Sequence, residues 1–446
     1  MTTLARHAAE AILRSVHPNI SSFRCRAPLA LALVMAGVAA PIAAQQPTIP
    51  SQHPSVVSAL DLIKKTNAWT LEQQVSICEI PAPPFKESVR AAEMKKRFES
   101  LGLLNVRIDA EGNVIGEYKG TAQGPTVMLA GHLDTVFPEG TDVKVKREGD
   151  KFSAPGIGDD CRGLATLLAV ARALGTSKVA VPGTILFVAN VGEEGPGNLR
   201  GVRAIFKNPP QKIDYFISVD GVGLGLTTGA VGSHRYKIEF QGPGGHSYGA
   251  FGMPNPIHAM GRAIAKISDF QVPKSPKTTF NVGIVSGGTS VNTISPLCAM
   301  EVDLRSESPD ELATVDGKLK TAVQSAMDEE NARWPQSKSR VAVKWTDMGV
   351  RPASPVNDTS RLARVALAAG KSLGFDAPTG ASSTDSNIPM SLGVPAITMD
   401  GGGEGKGAHS IAESYDDGAD GWKGPQWVLL TVVTLAGLRA AASTIQ

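Results

Sequence analysis

The stretch TILFVANVGEEGPGNLRG, residues 184–201, joins an apolar run to two adjacent glutamates and a glycine-rich turn. The apolar run predicts a buried strand. Neighbouring side chains on a strand point to opposite faces, so Glu193 and Glu194 diverge. Two carboxylates at the mouth of a buried strand repel each other unless a positive group lies beside them. The stretch therefore predicts a buried strand whose end faces a cation.

Strand and helix patterns alternate on both sides of this stretch. Further buried strands are predicted at residues 125–136 and 214–220, and helices at residues 54–80, 87–103 and 161–175. Alternation of buried apolar strands with helices is typical of a mainly parallel α/β sheet with helices on both faces. We expect this fold class for the larger part of the chain.

The pattern changes near His234. From there the predicted order is βαββαβ, until helix and buried strand return near Val350. This order is typical of a compact two-layer α+β unit with one sheet face covered by helices. We therefore predict a large α/β domain, residues 53–232 and 348–446, interrupted by a smaller one, residues 233–347.

The first residues have the plan of a secretory signal. Arginines are followed by a short apolar run from about Pro28 and by small residues up to Ala44. We expect residues 1–44 to be cleaved off, which implies a secreted or periplasmic protein without stable membrane association. An uncleaved membrane anchor is the alternative, because the segment before the apolar run is long, although the run itself is short for a span.

Charge and cysteine content exclude some classes of protein. The formal net charge is +2, and four arginines and one glutamate in residues 1–44 account for more than that, so the remainder is close to neutral. Nothing basic is left to indicate a nucleic-acid partner. Cys78, Cys161 and Cys298 are odd in number and scattered, unlike a disulfide framework. We expect mostly free thiols, with one disulfide possible.

Side chains suited to metal binding follow the buried strands of the large domain. In an open α/β sheet, ligands collect in the crevice outside the carboxyl ends of the strands. Each residue alone is compatible with a surface or helix-capping role, but several negative charges converging on one crevice require cations. Histidines among them favour zinc over calcium. The candidates are His132, Asp134, Asp159, Asp160, Glu193, Glu194, Asp220 and His409.

Five motifs together resemble one family of enzymes. They are GHLDTVFPEG (131–140), GIGDDCRG (156–163), EEGPGNLRG (193–201), GPGGHS (242–247) and GAHS (407–410). In order and spacing they are similar to those of the dinuclear zinc hydrolases, which include aminoacylase, glutamate carboxypeptidase, succinyl-diaminopimelate desuccinylase and tripeptide aminopeptidase. The resemblance spans nearly the whole chain after the leader. It implies that the large domain is catalytic and that the insertion is a lid and dimerisation domain.

The resemblance also implies a role for each residue. Glu193 would be the general base that deprotonates a metal-bridging water, and the hydroxide would attack the amide of a small peptide or N-acyl amino acid. Asp134 would orient a histidine ligand. Each subunit would hold two Zn²⁺ ions, with Co²⁺ or Mn²⁺ also possible. The implied ligands are His132, Asp159 and Asp220 for the first ion, and Asp159, Glu194 and His409 for the second.

The insertion contributes three further candidates. By resemblance, His246 would reach the active site of a partner subunit and polarise the substrate carbonyl, which implies a homodimer paired through the inserted domain. Asn292 and Arg305 are candidates for binding a substrate carboxylate. Arg305 is equally compatible with a structural ion pair.

Two other functions remain open at this point. GHSYG, residues 245–249, matches the G-x-S-x-G pattern of serine hydrolases, with Ser247 as nucleophile, but the prolines at 254 and 256 delay the helix that should follow directly. A non-catalytic periplasmic protein that binds peptide or metal is the second alternative, although binding alone would not require Glu193. The sequence does not decide between exopeptidase and deacylase substrates.

Overall fold

The computed structural model describes residues 46–439, so the predicted leader lies outside the described residues. Helices α1 to α10 in this range are Pro54–Lys65, Asn67–Cys78, Ser88–Ser100, Cys161–Thr176, Arg200–Lys207, Pro256–Ser268, Pro309–Arg333, Arg361–Ser372, Asn387–Ser391 and Lys423–Leu435. Strands β1 to β18 are Leu104–Ile108, Val114–Tyr118, Thr126–His132, Lys146–Glu148, Lys151–Ser153, Thr184–Asn190, Tyr215–Val219, Leu226–Ala230, Gly232–Gln241, Gly245–His246, Thr278–Gly287, Thr293–Ile294, Leu297–Ser306, Ala342–Arg351, Thr379–Ser382, Ala396–Met399, Glu404–Lys406 and Ser414–Asp416.

Eight strands form the main sheet, in the order β1-β2-β6-β3-β7-β16-β8-β15. The central strands β6, β3, β7 and β16 run parallel to one another, with Thr126 opposite Thr184 and Ala396 opposite Phe216. β15 is also parallel to β8, whereas β1, β2 and the β16–β8 pair are antiparallel. The predicted fold class, a mainly parallel α/β sheet, is confirmed.

Helices cover both faces of the main sheet. On β6, Phe187 packs with the cluster built from α1–α4, α8 and α10, whereas Leu186 and Val188 pack with α5 and α9 on the other face. A strand covered on both sides must be apolar at successive positions, because alternate side chains enter different cores. This explains the uninterrupted apolar run that ends at Glu193 and Glu194.

A second, antiparallel sheet has the order β11-β13-β9-β14. Helices α6 and α7 pack on one of its faces and share a separate hydrophobic core with it. The Ser308 side chain accepts a hydrogen bond from the Glu311 amide and caps α7. The sheet begins at Gly232 and ends at Arg351, so it extends slightly beyond both ends of the predicted insertion, residues 233–347.

Other features differ from the predicted pattern or complete it. The single helix predicted over residues 54–80 is two helices, which meet at Thr66, where the amide and the hydroxyl both bond to the Leu62 carbonyl. A two-stranded sheet, β10-β12, and a sheet of four short strands, β17-β18-β5-β4, complete the described residues, and the latter was not predicted. Within residues 46–439, no helix combines the length and apolarity needed to cross a membrane. Cys78, Cys161 and Cys298 are free and buried, in agreement with the expectation of free thiols.

Candidate active site

The candidate ligands gather at one edge of the main sheet. Because β6, β3, β7 and β16 are parallel neighbours, their carboxyl ends open on the same crevice. His132 is the last residue of β3, Asp220 directly follows β7, and the two glutamates follow β6. Asp159 lies in the turn that opens α4, and His409 lies in the loop after β17. Chain segments far apart in sequence thus place six candidate residues together.

Asp159 stands at the centre of this group. Its Oδ1 lies 2.9 Å from His132 Nε2, which in turn lies 4.0 Å from Asp220 Oδ1. Its Oδ2 lies 3.1 Å from His409 Nε2, which lies 3.0 Å from Glu194 Oε1. One carboxylate therefore faces two separate sets of ligands, one with each oxygen.

These two sets have the spacing that metal ions require. In each, His132–Asp159–Asp220 and Asp159–Glu194–His409, one ligand atom per residue lies within 4.8 Å of the others. A third set, His132–Glu193–Glu194, meets the same criterion. Mixed imidazole and carboxylate donors suit zinc and related transition ions. The residues present therefore fit a pair of divalent cations that share Asp159.

Carboxylates shift the protonation of the site histidines. Hydrogen bonds to Asp159 and Glu194 raise the pKa of His409 to about 10. Burial opposes protonation of His132, but contacts with Asp134 and Asp159 outweigh it and raise its pKa well above the usual value. The acidic cluster thus attracts positive charge strongly, and bound divalent cations would supply that charge with both histidines neutral.

Asp134 acts mainly on the main chain of the two glutamates. Its carboxylate oxygens accept hydrogen bonds from the amides of Glu193, at 3.0 Å, and Glu194, at 2.9 Å. The Asp134 carbonyl oxygen accepts a hydrogen bond from His132 Nδ1 at 3.0 Å, while the Asp134 carboxylate lies 3.7 Å from the same nitrogen. The predicted orientation of His132 by Asp134 would therefore run through the Asp134 main chain more directly than through its side chain.

Glu193 is held by an arginine that sequence reasoning missed. Arg351, the last residue of β14, donates to Glu193 Oε1 at 2.9 Å and also to the Glu193 carbonyl. Burial raises the pKa of Glu193 well above its usual value, while the Arg351 charge opposes that shift. Arg351 lies 158 residues from Glu193 in sequence and has no motif around it. The only sequence signal for its place near the site is that the chain returns there to the large domain.

Glu413 is a second residue that was missed. Its Oε1 accepts the amides of Gly158, at 2.8 Å, and Asp159, at 3.0 Å, and its Oε2 accepts the amide of Gly156, at 2.9 Å. The side chain is buried, and the residue lies four positions after His409. Glu413 therefore ties the loop that carries Asp159 to the loop that carries His409.

A cavity of about 530 Å³, here called the central cavity, opens above the candidate ligands. Asp159, Glu193, Glu194, Asp220 and His409 line it, together with Arg235, Arg305, Arg351 and Asp400. Asp303 accepts from Arg235 Nε at 2.9 Å and from Arg305 Nε at 2.7 Å. Arg305, a predicted substrate-binding residue, thus lies in the cavity and is also part of an ion pair.

The other two candidates from the insertion do not line the central cavity. His246 lies in β10, which pairs with β12, and the Asn292 carbonyl accepts the Ser247 amide at 2.9 Å. His246 is exposed, and its Nδ1 accepts the amides of Tyr248 and Gly249. His246 and Asn292 are therefore brought together with each other, and not with the metal ligands of their own chain.

The surroundings of Ser247 differ from a nucleophile elbow. The next helix, α6, begins only at Pro256, and His246 Nδ1 is occupied by main-chain amides. A serine nucleophile needs a base within hydrogen-bond reach and a direct turn into a helix.

Comparison with known proteins agrees with the geometry of the site. Residues 128–428, more than half of the chain, match the family described as Peptidase family M20/M25/M40. The chain belongs to this family. Carboxypeptidase G2 of Pseudomonas sp. (strain RS-16) is 27% identical over 341 residues, 73% of this chain and 78% of that protein.

Solved structures share the fold. Aminopeptidase PepT from Bacillus cereus superimposes with a TM-score of 0.67 at 20% identity, over 84% of this chain and 99% of that one. The Bacillus subtilis YXEP protein, described as a dinuclear metal binding peptidase from the M20 family, gives a TM-score of 0.60 at 17% identity, over 84% and 99% of the two chains.

Membership in the M20 family confirms the predicted class of enzyme. The protein is a metal-dependent hydrolase of the amide bonds found in peptides or N-acyl amino acids. The serine hydrolase and the non-catalytic binding protein, which the sequence left open, are not favoured.

Proposed function

We propose that the protein hydrolyses small peptides or N-acyl amino acids with two Zn²⁺ ions bound between the ligand sets that share Asp159. The observation that carries this proposal is the position of Asp159, whose two oxygens face separate histidines at 2.9 and 3.1 Å. Such a pair of ions would activate a water and polarise the substrate carbonyl. Co²⁺ and Mn²⁺ suit the same donors.

Glu193 is the proposed general base. Its neighbour Glu194 points to His409, whereas Glu193 points to Arg351, so the two carboxylates are free for different tasks. Glu193 takes a proton from the attacking water and delivers it to the leaving amine. The bond from Arg351 holds the carboxylate in place.

The proposed substrate carries a free carboxylate. Arg235 and Arg305 share the single carboxylate of Asp303, which leaves one positive charge at the wall of the central cavity. A guanidinium binds a carboxylate through paired N–H donors. The C-terminal residue of a peptide, or the amino acid of an N-acyl amino acid, carries such a carboxylate. Asn292 and His246 do not line this cavity in their own chain, so they would contribute to the site only from a partner subunit.

We also propose that His246 acts in a partner subunit and that the protein is a homodimer. Support comes from the exposure of His246 and its absence from the lining of its own chain's cavity. A location outside the cytoplasm is proposed from the leader, residues 1–44, alone.

Removal of the metal tests the proposed function. Treatment with a chelator should abolish hydrolysis of whichever dipeptides or N-acyl amino acids the enzyme accepts, and added Zn²⁺, Co²⁺ or Mn²⁺ should restore it. A serine-directed acylating reagent is the matched control and should leave the rate unchanged. Full activity after metal removal, with loss on acylation, would assign the chemistry to Ser247 instead.

A further inference from the structure

Asp400 is a carboxylate of the central cavity that the proposed mechanism does not use. It directly follows β16, at the carboxyl end where ligands of such sheets collect. The Asp220 amide donates to the Met399 carbonyl at 3.1 Å, which places Asp400 beside a proposed metal ligand. The Asp400 side chain lines the same cavity as Glu193 and Arg305.

Three glycines leave room for this side chain. Gly221, Gly223 and Gly225 lie against it, and a Cβ atom at residue 223 or 225 would lie 2.9 or 2.8 Å from Asp400 Oδ2. The Gly225 amide donates to Oδ2 at 2.7 Å, whereas Oδ1 has no hydrogen-bond partner among the described residues. One oxygen is therefore fixed by the main chain and the other is free to bind a ligand.

The charge of Asp400 lacks a counterion within residues 46–439. No lysine, arginine or histidine there pairs with it, and its surroundings disfavour the charged form through burial. It also belongs to none of the three groups spaced to hold a metal ion. With one oxygen unpaired and no protein cation beside it among the described residues, the Asp400 carboxylate can accept hydrogen bonds from a cationic group of the ligand. An ammonium group, with three N–H donors, fits this requirement.

We propose that Asp400 binds the α-ammonium group of the substrate, so that the substrate class is a short peptide with a free amino terminus and not an N-acyl amino acid. The inference rests on the proposed function. The cavity then matches a zwitterion: the Arg235–Asp303–Arg305 group leaves one positive charge for the carboxylate, and Asp400 supplies one negative charge for the amine.

A pair of substrates tests this assignment: a dipeptide and the same dipeptide acetylated on its amino group. The measured quantity is the ratio of kcat/KM for the free over the acetylated substrate. We expect the wild-type enzyme to prefer the free amine, and Asp400→Asn to lower that ratio about 10- to 100-fold, as for loss of a charge-assisted hydrogen bond. Asparagine keeps an oxygen for the Gly225 amide, and metal content and thermal unfolding verify that the variant is intact.

Asp385→Asn is the matched control. Asp385 is another buried carboxylate near the site, bonded to Asn190 at 2.6 Å, but it does not line the central cavity. This variant should leave the ratio unchanged, whatever its effect on either rate. A wild-type enzyme without preference for the free amine, or an unchanged ratio in Asp400→Asn, would overturn the role of Asp400. In both cases the hydrolysis would remain sensitive to chelator, so the proposed function would be unaffected. Hydrolysis that is insensitive to chelator would instead overturn the proposed function.

Discussion

At the scale of single residues, the adjacent Glu193 and Glu194 have different partners because neighbouring side chains beyond the end of β6 point in different directions. Glu194 Oε1 lies 3.0 Å from His409, and Glu193 Oε1 lies 2.9 Å from Arg351. Asp134 accepts hydrogen bonds from both amides and so holds the main chain of both glutamates. The cation that the sequence required beside them is thus an arginine for Glu193, and the proposed second metal ion would supply it for Glu194.

Isosteric variants separate the tasks proposed for the two glutamates. Glu193→Gln should retain the bound metal and lose activity by a factor of about 10² or more, as for a removed general base. Glu194→Gln should bind the second metal less tightly, because a ligand is lost. Metal content and turnover are measured on the same samples. Loss of metal from Glu193→Gln, with retention in Glu194→Gln, would show that the roles are reversed.

Glu413 should control metal affinity without touching a metal. Glu413→Gln places an amide NH₂ against at least one of the three main-chain N–H groups that the carboxylate accepts, which disturbs the Asp159 loop. We expect metal binding about 10- to 100-fold weaker, in the range for partners that orient ligands. Titration of the metal-free variant with Zn²⁺ measures this.

Glu330→Gln is the control for Glu413→Gln. Glu330 is also buried and accepts a main-chain amide, that of Asn255 at 3.0 Å. It lies on α7, which packs on the second sheet, away from the candidate metal ligands. Its variant should keep wild-type metal affinity. Equal affinities in all three proteins would contradict the role assigned to Glu413.

At the scale of elements, helix α4 links the fold to the site. Asp160 caps its first turn by accepting the Gly163 amide at 3.0 Å, and also accepts the His132 amide at 2.8 Å. A Cβ atom at residue 163 would overlap the Asp160 carboxylate and the Val219 carbonyl. The close approach of α4 to β3 and β7 therefore requires glycine at this position.

Two glycines of α4 should respond to alanine with opposite sign. Gly163→Ala should lower the free energy of unfolding by about 1–3 kcal/mol, as for overpacking. Gly175→Ala should raise it by about 0.5–1 kcal/mol, because its Cβ would meet nothing closer than 3.6 Å and alanine favours helix. Denaturant unfolding of both variants measures the difference, and a Gly163→Ala protein as stable as Gly175→Ala would contradict this account of the packing.

The elements also show what the sequence could predict. Strands β3, β6 and β7 and helix α4 were predicted because uniform or periodic apolar patterns identify elements that are buried on one or both faces. The β17-β18-β5-β4 sheet was not, since β4 and β17 are short, exposed and mostly polar. Arg351 and Glu413 were missed because their contacts join residues 158 and about 255 positions apart. Such contacts arise from the topology and leave no local pattern.

At the scale of the whole molecule, one chain holds the proposed metal ligands in the main sheet and His246 on the second sheet. β11 is an edge strand of that sheet and exposes Ile284 and Val285, and Val291 and Tyr248 near His246 are also exposed. Exposed apolar side chains beside an unpaired strand edge are suited to a subunit contact. These features favour the homodimer predicted from the sequence.

Mixed dimers test whether His246 acts across subunits. His246→Ala and Glu193→Gln chains should each be inactive alone. After subunit exchange, a mixed dimer holds one site with an intact base and a histidine from its partner, so activity should reappear. Absence of recovery despite proven exchange, or a fully active monomer, would mean that His246 serves its own chain.

The central claim is that Asp159 is shared by two metal ions, and anomalous diffraction at the zinc absorption edge tests it most directly. Crystals of the zinc-loaded protein should show two anomalous peaks about 3.5–4 Å apart, the separation of paired catalytic ions. The ion at one peak should be bound by His132 and Asp220, and the ion at the other by Glu194 and His409, with Asp159 between them. A single peak, or zinc bound outside these residues, would contradict the account.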